Sequence, residues 1–280
     1  MKGVFCIYAI CFWCNFLLCQ RIQGKIIDSK THQPLPYVNI GIVNKSTGTV
    51  SDSAGQFNLV IQQEPTRDTL VLSMIGYQSC AVSLDSIYNK QQNIIFELTE
   101  KSYGLQEVTI RPTKIKRKIL GNKQKGQPCV YFLGDSLKDY TGSEIGTIIK
   151  LKNSPAIIEE INFSICENDY DSLTIRVNIY DVVKNINILK QPIFIQIKKD
   201  QKYVQISLHD YGIVLENDFI IALESIELIN MSTKKARKKF GLSGGFIGSD
   251  LMTRKSIFDP WTRESLIVLG INATVIYEKL

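Results

Sequence analysis

Few groups in this chain have the spacing that reactive chemistry needs. Acids gather at Glu159-Glu160, Asp169-Asp171 and Asp218, and paired carboxylates can divide acid and base roles in hydrolysis. Successive residues of a strand point to opposite faces, so Glu159 and Glu160 are expected not to share a site while extended. The stretch "ENDYDS", Glu167 to Ser172, alternates acids as a calcium loop does but has neither its glycine nor its distal glutamate. A turn between two strands is the expectation there. Ser243 beside Gly244-Gly245 would need a base, and His209 is an arbitrary choice for it. The only histidines, His32 and His209, cannot make the His/Glu cluster of a zinc peptidase. No catalytic residue, metal or cofactor is expected.

Binding chemistry is better represented. In "SIFDPWTRES", Ser256 to Ser265, Phe258 and Trp261 stand near Arg263 in a proline-containing segment between strands. An exposed ring packs on the apolar face of a pyranose while polar neighbours fix its hydroxyls, which makes these three candidate ligand-binding residues. The competing reading is a tryptophan plugging the end of a sandwich. Separately, Asp-Ser/Thr followed by an apolar residue recurs, placing Ser53, Thr69, Ser86, Ser136 and Ser172 in one pattern. The tripeptide resembles an O-glycosylation acceptor of some Gram-negative bacteria, although Asp-Ser also opens turns before strands.

The stretch "GTVSDSAGQF", Gly48 to Phe57, is rich in glycine and hydroxyls but has no Gly-Lys-Ser/Thr, and "QFNLVI" after Gly55 alternates like a half-buried strand. A tight strand connection is expected, not a phosphate cradle. At the start, Met1-Lys2 precede "GVFCIYAICFWCNFLLC", uncharged until Arg21, the pattern of a signal peptide over 1–19. A retained membrane anchor is the alternative. Leu17-Leu18-Cys19 resembles a bacterial lipoprotein signal, but Leu18 stands where a small residue is required, so acylation of Cys19 is not the main expectation. Export to the periplasm or outer-membrane surface follows.

Four of the seven cysteines lie in that leader, leaving Cys80, Cys129 and Cys166 without a CxxC or Cys/His spacing. They read as small apolar strand residues, with one bridged pair as the alternative. The net charge of +6 is concentrated in Pro112 to Pro128, with six lysines and arginines and no acid, and in "KKARKK", Lys234 to Lys239. Neither run carries interleaved aromatics for stacking bases, and an exported chain rarely meets nucleic acid, so linker and loop are expected.

The elements that would position these groups are strands. "GKIID", "YVNIGIV", "QFNLVI", "TLVLSMI", "CAVSL" and "NIIFEL" follow one another with Pro34-Leu35-Pro36, Gly48, Asp52 to Gly55 and Gly76 between them. Such spacing predicts an all-β sandwich over 21–98. With Gly24 and Asp28 in the first strand, the Gly48-Thr49, Asp52, Gly55 and Phe57 set and Ile75-Gly76-Tyr77, the stretch from Gln23 to about Ile110 strongly resembles the carboxypeptidase-like regulatory domain. That is a transthyretin-like sandwich also placed ahead of many TonB-dependent outer-membrane receptors. The resemblance implies a fold and an accessory role, not a catalyst. The roughly 170 residues beyond Ile110 cannot supply a large transport barrel of some twenty strands.

After a basic linker over 99–129, residues 130–280 give eight more strand-like segments, among them "IEEINFSIC", "LTIRVNIYDV" and "DFIIALESIEL". A second β-sandwich, of jelly-roll or related type, is expected. The sequence therefore reads as an exported, non-enzymatic binding or accessory protein of the bacterial cell envelope, engaging a glycan or an outer-membrane protein. An unrecognised hydrolase or glycan-processing accessory enzyme is the alternative reading.

Overall fold

A computed structural model describes residues 20–61, 68–88, 94–101, 115–131, 141–152, 155–229, 238–246 and 250–278. The expected leader and Cys19 lie outside them, as does Ser136. Among the described residues no helix is long and apolar enough to cross a membrane.

The first sandwich is built from β1 (Gln20–Asp28), β2 (Asn39–Ile42), β3 (Gly48–Val50), β4 (Gln56–Ile61), β5 (Thr69–Ser73), β6 (Cys80–Ser83), the short helix α1 (Leu84–Tyr88) and β7 (Ile94–Leu98). One sheet runs β4-β1-β7, with β1 and β7 parallel, and the other β3-β2-β5-β6. Alternation in "QFNLVI" buries Phe57, Leu59 and Ile61 while the residues between them stay outside. These side chains meet Ile26, Ile40, Leu70 and Leu72 in one core.

The Gly48–Phe57 stretch is the expected strand connection. Asp52 Oδ1 accepts the backbone N–H groups of Ala54 (2.9 Å) and Gln56 (2.8 Å). Gly55 takes φ +72°, with space for no Cβ because the Ile26 carbonyl would lie 2.6 Å away. At the end of β1, Asp28 accepts from the backbone of Thr31 (2.7 Å) and Lys30 (2.9 Å), the Thr31 hydroxyl (3.0 Å) and the Tyr77 hydroxyl (3.0 Å). The Thr31 N–H leads these donors in holding the Asp28 carboxyl at about 2, against a burial effect that pushes it up. An unfolded aspartate titrates near 3.9. The folded value is the lower, so this stabilisation is complete above about pH 4 and is lost as pH falls towards 2. Asp28→Asn is expected to lower Tm at neutral pH and to flatten its decline between pH 4 and 2; thermal melts across that range check this, and an unchanged slope would contradict it.

The second sandwich contains β8 (Ile115–Gly121), β9 (Cys129–Tyr131), β10 (Glu144–Ile149), β11 (Ala156–Asn168), β12 (Ser172–Asp181), β13 (Ile186–Asn187), β14 (Ile193–Lys198), β15 (Tyr203–Ser207), β16 (Val214–Leu215), β17 (Phe219–Ile229), β18 (Phe240–Phe246), β19 (Leu251–Arg254), β20 (Thr262–Glu264), β21 (Ile267–Leu269) and β22 (Ile271–Glu278). A seven-stranded sheet runs β13-β12-β17-β10-β19-β20 with β14 also on β12. An eight-stranded sheet runs β21-β18-β11-β22-β8, with β15 and β16 on β11 and β9 on β18. Eight strands were too few for this half, because the long β11 and β12 are each flanked on one edge by two short strands in succession. Between the sheets Ile161, Phe163, Ile175, Val177, Leu223 and Val275 form the larger core.

Two sequence readings are corrected here. The basic stretch over 99–129 is not all linker: Ile115–Gly121 pairs with β22 over seven register positions, giving that strand a second hydrogen-bonded neighbour opposite β11. Cys129 and Cys166 are joined in a disulfide rather than acting as separate apolar residues, since β9 and β11 lie on either side of β18 and bring the two Cα atoms to 5.8 Å. Cys80 is free.

Candidate functional site

One face of the seven-stranded sheet covers the core of the second sandwich; the other is covered by the first sandwich. Along β12 the period of two sends Ile175, Val177 and Ile179 into the core and Arg176, Asn178 and Tyr180 to the junction. Register then sets a row of charges across four adjacent strands. Arg176 lies opposite Glu224, Glu224 opposite Glu144, and Glu144 opposite Arg254. Two carboxylates side by side would repel, and each is answered by the arginine beyond it.

Arg176 is 1% exposed and Glu144 and Glu224 0%, while Arg254 is largely buried at the end of the row. Arg176 grips Glu224 through Nε (2.8 Å) and Nη2 (2.6 Å), the two-point geometry that suits a guanidinium. Asn178 Nδ2 donates to Glu144 (2.6 Å) and to Glu224 (2.7 Å), and the Tyr180 hydroxyl donates to Glu144 (2.8 Å). Arg254 bonds Glu144 and lies over two rings, 4.8 Å from Tyr180 and 4.1 Å from Trp261. Burial pushes the Glu144 carboxyl up, and Arg254 opposes that shift. Burial pushes the Tyr180 hydroxyl well up, with the Glu144 charge adding to it.

This network also ties the two sandwiches together. Arg176 Nη1 donates to the carbonyl of Tyr37 in the first sandwich (2.7 Å), and the Tyr37 hydroxyl donates to Glu227 of the second (3.2 Å). From the opposite side the 255–261 segment wedges into β2 and β3. Asn44 N–H donates to the Phe258 carbonyl (3.2 Å), and the Phe258 ring occupies the space a Cβ on Gly41 would need, 2.5 Å from it.

Between these walls is a cavity of about 550 Å³ lined from both sandwiches. Its aromatic surface is Tyr180, Phe258 and Trp261, and its amides include Asn39, Asn44 and Asn185. Such a mixture of ring faces and neutral hydrogen-bonding groups is suited to a polar ligand with apolar faces. The two arginines that reach the cavity are matched by Glu224 and Glu144, so they offer directed N–H groups with little net charge.

Of the three predicted ligand-binding residues, the structure brings Phe258 and Trp261 together on the cavity wall and leaves Arg263 out. Arg263 is exposed on β20 and pairs with Asp250. Trp261 neither plugs the sandwich end nor stands free in solvent: it is half-buried, edge-on to Tyr180 at 5.6 Å. Ser53, Thr69 and Ser86 are exposed, whereas the Ser172 hydroxyl is buried without a hydrogen-bond partner.

Elsewhere the candidates for reactive chemistry are dispersed. A bulge between Ile158 and Glu160 overturns the expectation that Glu159 and Glu160 face apart; both line a groove of about 580 Å³ with Arg117 and His209. Glu159 there receives Arg117 (2.7 Å), and Asn162 leads the donors that hold the Glu160 carboxyl below its usual range. Asp169 and Asp218 accept backbone N–H groups of Lys239 (2.9 Å) and Leu151 (2.8 Å). Ser243 has Gly241 and Gly245 at the spacing of a hydrolase elbow, but it lies inside β18, fully buried, with no hydrogen-bond partner and so no base at its hydroxyl.

Comparison with known proteins places the first sandwich. Residues 22–110 match the model of the CarboxypepD_reg-like domain, so this part of the chain carries that domain, and the carboxyl-terminal half has no family match. No curated protein matches. Among solved structures, a variant of the clostridial cysteine protease Cwp84 after propeptide cleavage is 9% identical with a TM-score of 0.37, over 87% of this chain and 66% of that one. The cysteine protease and lectin-like domains of Cwp84 from Clostridium difficile give 9% identity and 0.32, over 87% and 59%. The infectious bursal disease virus Gt strain structure gives 9% and 0.26, over 91% and 62%. The chain spans less than two thirds of the length of each, and at such scores none bears on function.

Proposed function

We propose that this is an exported, non-catalytic binding protein of the bacterial cell envelope whose ligand, a neutral glycan, enters the cavity between its two sandwiches. The observation that carries the reading is the cavity's composition: Trp261, Phe258 and Tyr180 beside asparagine amides, with both arginines neutralised by buried glutamates. Sugars combine apolar ring faces with rims of hydroxyls, and this lining answers both. An accessory role accords with the CarboxypepD_reg-like domain. Export is supported by the apolar leader and by a disulfide, which persists in oxidising compartments.

A glycan array tests the proposal. The full chain is expected to retain neutral oligosaccharides, and Trp261→Ala to lower that affinity about tenfold or more, as loss of a central aromatic anchor does. Retention of no neutral glycan, or turnover of an oligosaccharide abolished by one substitution, would contradict it.

A further inference from the structure

Among the described residues three buried polar atoms of the cavity-lining side chains have no hydrogen-bond partner; Arg254 Nη2 is ion-paired with Glu144, and the other two belong to one short segment. Asp259 is 9% exposed, and its Oδ2 has no hydrogen-bond partner; Trp261 Nε1, two residues on, is likewise buried and unpaired. Both residues line the cavity. Buried polar groups are nearly always paired, so an unpaired acceptor and an unpaired donor two residues apart in the lining of one cavity stand out. The rest of the segment is well anchored: Asp259 N–H bonds the Ser256 carbonyl (3.0 Å), and Arg254 Nη1 bonds the Ile257 carbonyl (3.0 Å).

Building on the glycan reading, we propose that Asp259 and Trp261 are the recognition pair of this site, engaging one neutral ligand group that both donates and accepts. A sugar hydroxyl does this, its O–H donating to Asp259 Oδ2 while its oxygen accepts from Trp261 Nε1. An acetamido substituent does it through its N–H and its carbonyl. An ammonium has no lone pair for the indole, and a carboxylate has no proton for the aspartate. Ligand classes carrying only those groups are therefore selected against. Both atoms are closed to solvent in the free protein, so binding to them requires a local shift of the side chains that cover them. The unpaired state is thus a cost borne before binding and relieved by it. Burial raises the Asp259 carboxyl from its usual range, against the Ser46 hydroxyl and nearby Arg254 and Lys255.

The test pairs stability with binding in the full chain. Asp259→Asn removes the buried charge and keeps an oxygen for Ser46, so it is expected to raise Tm of the free protein by about 2–6 °C, as relief of an unpaired buried group does. The same variant is expected to bind neutral oligosaccharides about tenfold or more weakly. Trp261→Phe keeps the ring and deletes the N–H; its Tm should hold while affinity falls by a similar factor. Hexose-only and N-acetylhexosamine oligosaccharides form separate arms and distinguish hydroxyl from acetamido as the group held. Wild-type binding that both variants leave intact would overturn the recognition pair while the glycan reading survives. A lowered Tm in Asp259→Asn, or preferential retention of amino or acidic sugars, would overturn the pair as well. Failure of the wild-type chain to bind any neutral glycan would overturn both.

Discussion

Arg176→Ala is expected to cost about 3–5 kcal/mol of folding free energy, the range for removing one partner of a buried ion pair. The effect is large because Arg176 does three things at once. It neutralises Glu224, which lies opposite Glu144 in register; it offers two donors to that carboxylate; and it holds the Tyr37 carbonyl of the other sandwich. Deletion leaves two facing carboxylates with Arg254 as the one arginine beside them and only the neutral donors Asn178 and Tyr180 in addition. Urea denaturation of the purified chain measures the loss, and limited proteolysis reports whether the sandwiches separate. Replacing the pair together, as Arg176→Met with Glu224→Leu, is expected to recover much of it, since no charge is then stranded. A loss under about 1 kcal/mol would mean that Glu224 is reached by water, against the geometry described.

The second large effect is that of the disulfide. Cys129 and Cys166 are 37 residues apart, and closing such a loop restricts the unfolded chain by about 4 kcal/mol. The bond also secures β9 and β11 on either side of β18, so its loss frees a short strand with few other attachments. Cys129→Ser with Cys166→Ser is expected to lower the urea midpoint, and reductant should move the wild-type chain to the same midpoint while leaving the variant unchanged. Cys80 in the first sandwich serves as the internal control. A wild-type midpoint insensitive to reductant would contradict the linkage.

Much of the fold was legible because strands of period two and turn residues are local signals. "QFNLVI" alternates as it is buried, and Asp52 and Gly55 make the connection their types predict. The missed strands, Ile115–Gly121 among them, were hidden by lysines and arginines: an edge strand exposes alternate residues and can carry charge, so its composition resembles a linker. The site was legible only in part. Phe258 and Trp261 stood out as aromatics in a proline-containing segment, but the charges behind them did not. The polar face of "TIRVNIYD" reads as solvated, and only its cover by another domain turns Arg176, Asn178 and Tyr180 into a buried row. Within one strand the signal was present: Glu224 is a lone acid inside "FIIALES", and such an acid must either face solvent or have a partner. The register that brings it to Glu144 and Arg254 comes from segments far apart in sequence, and no local pattern carries that information. Likewise the bulge at Glu159 is one extra residue in an otherwise regular strand, invisible to alternation alone.

The cavity as the binding site is tested most directly by the emission of Trp261. The sequence has two tryptophans, so Trp13→Phe leaves Trp261 as the sole reporter. On titration with an oligosaccharide retained on the array, the account predicts a saturable change in that emission, with a midpoint equal to the affinity from calorimetry. Calorimetric binding with Trp261 emission unchanged would place the ligand elsewhere and contradict the account.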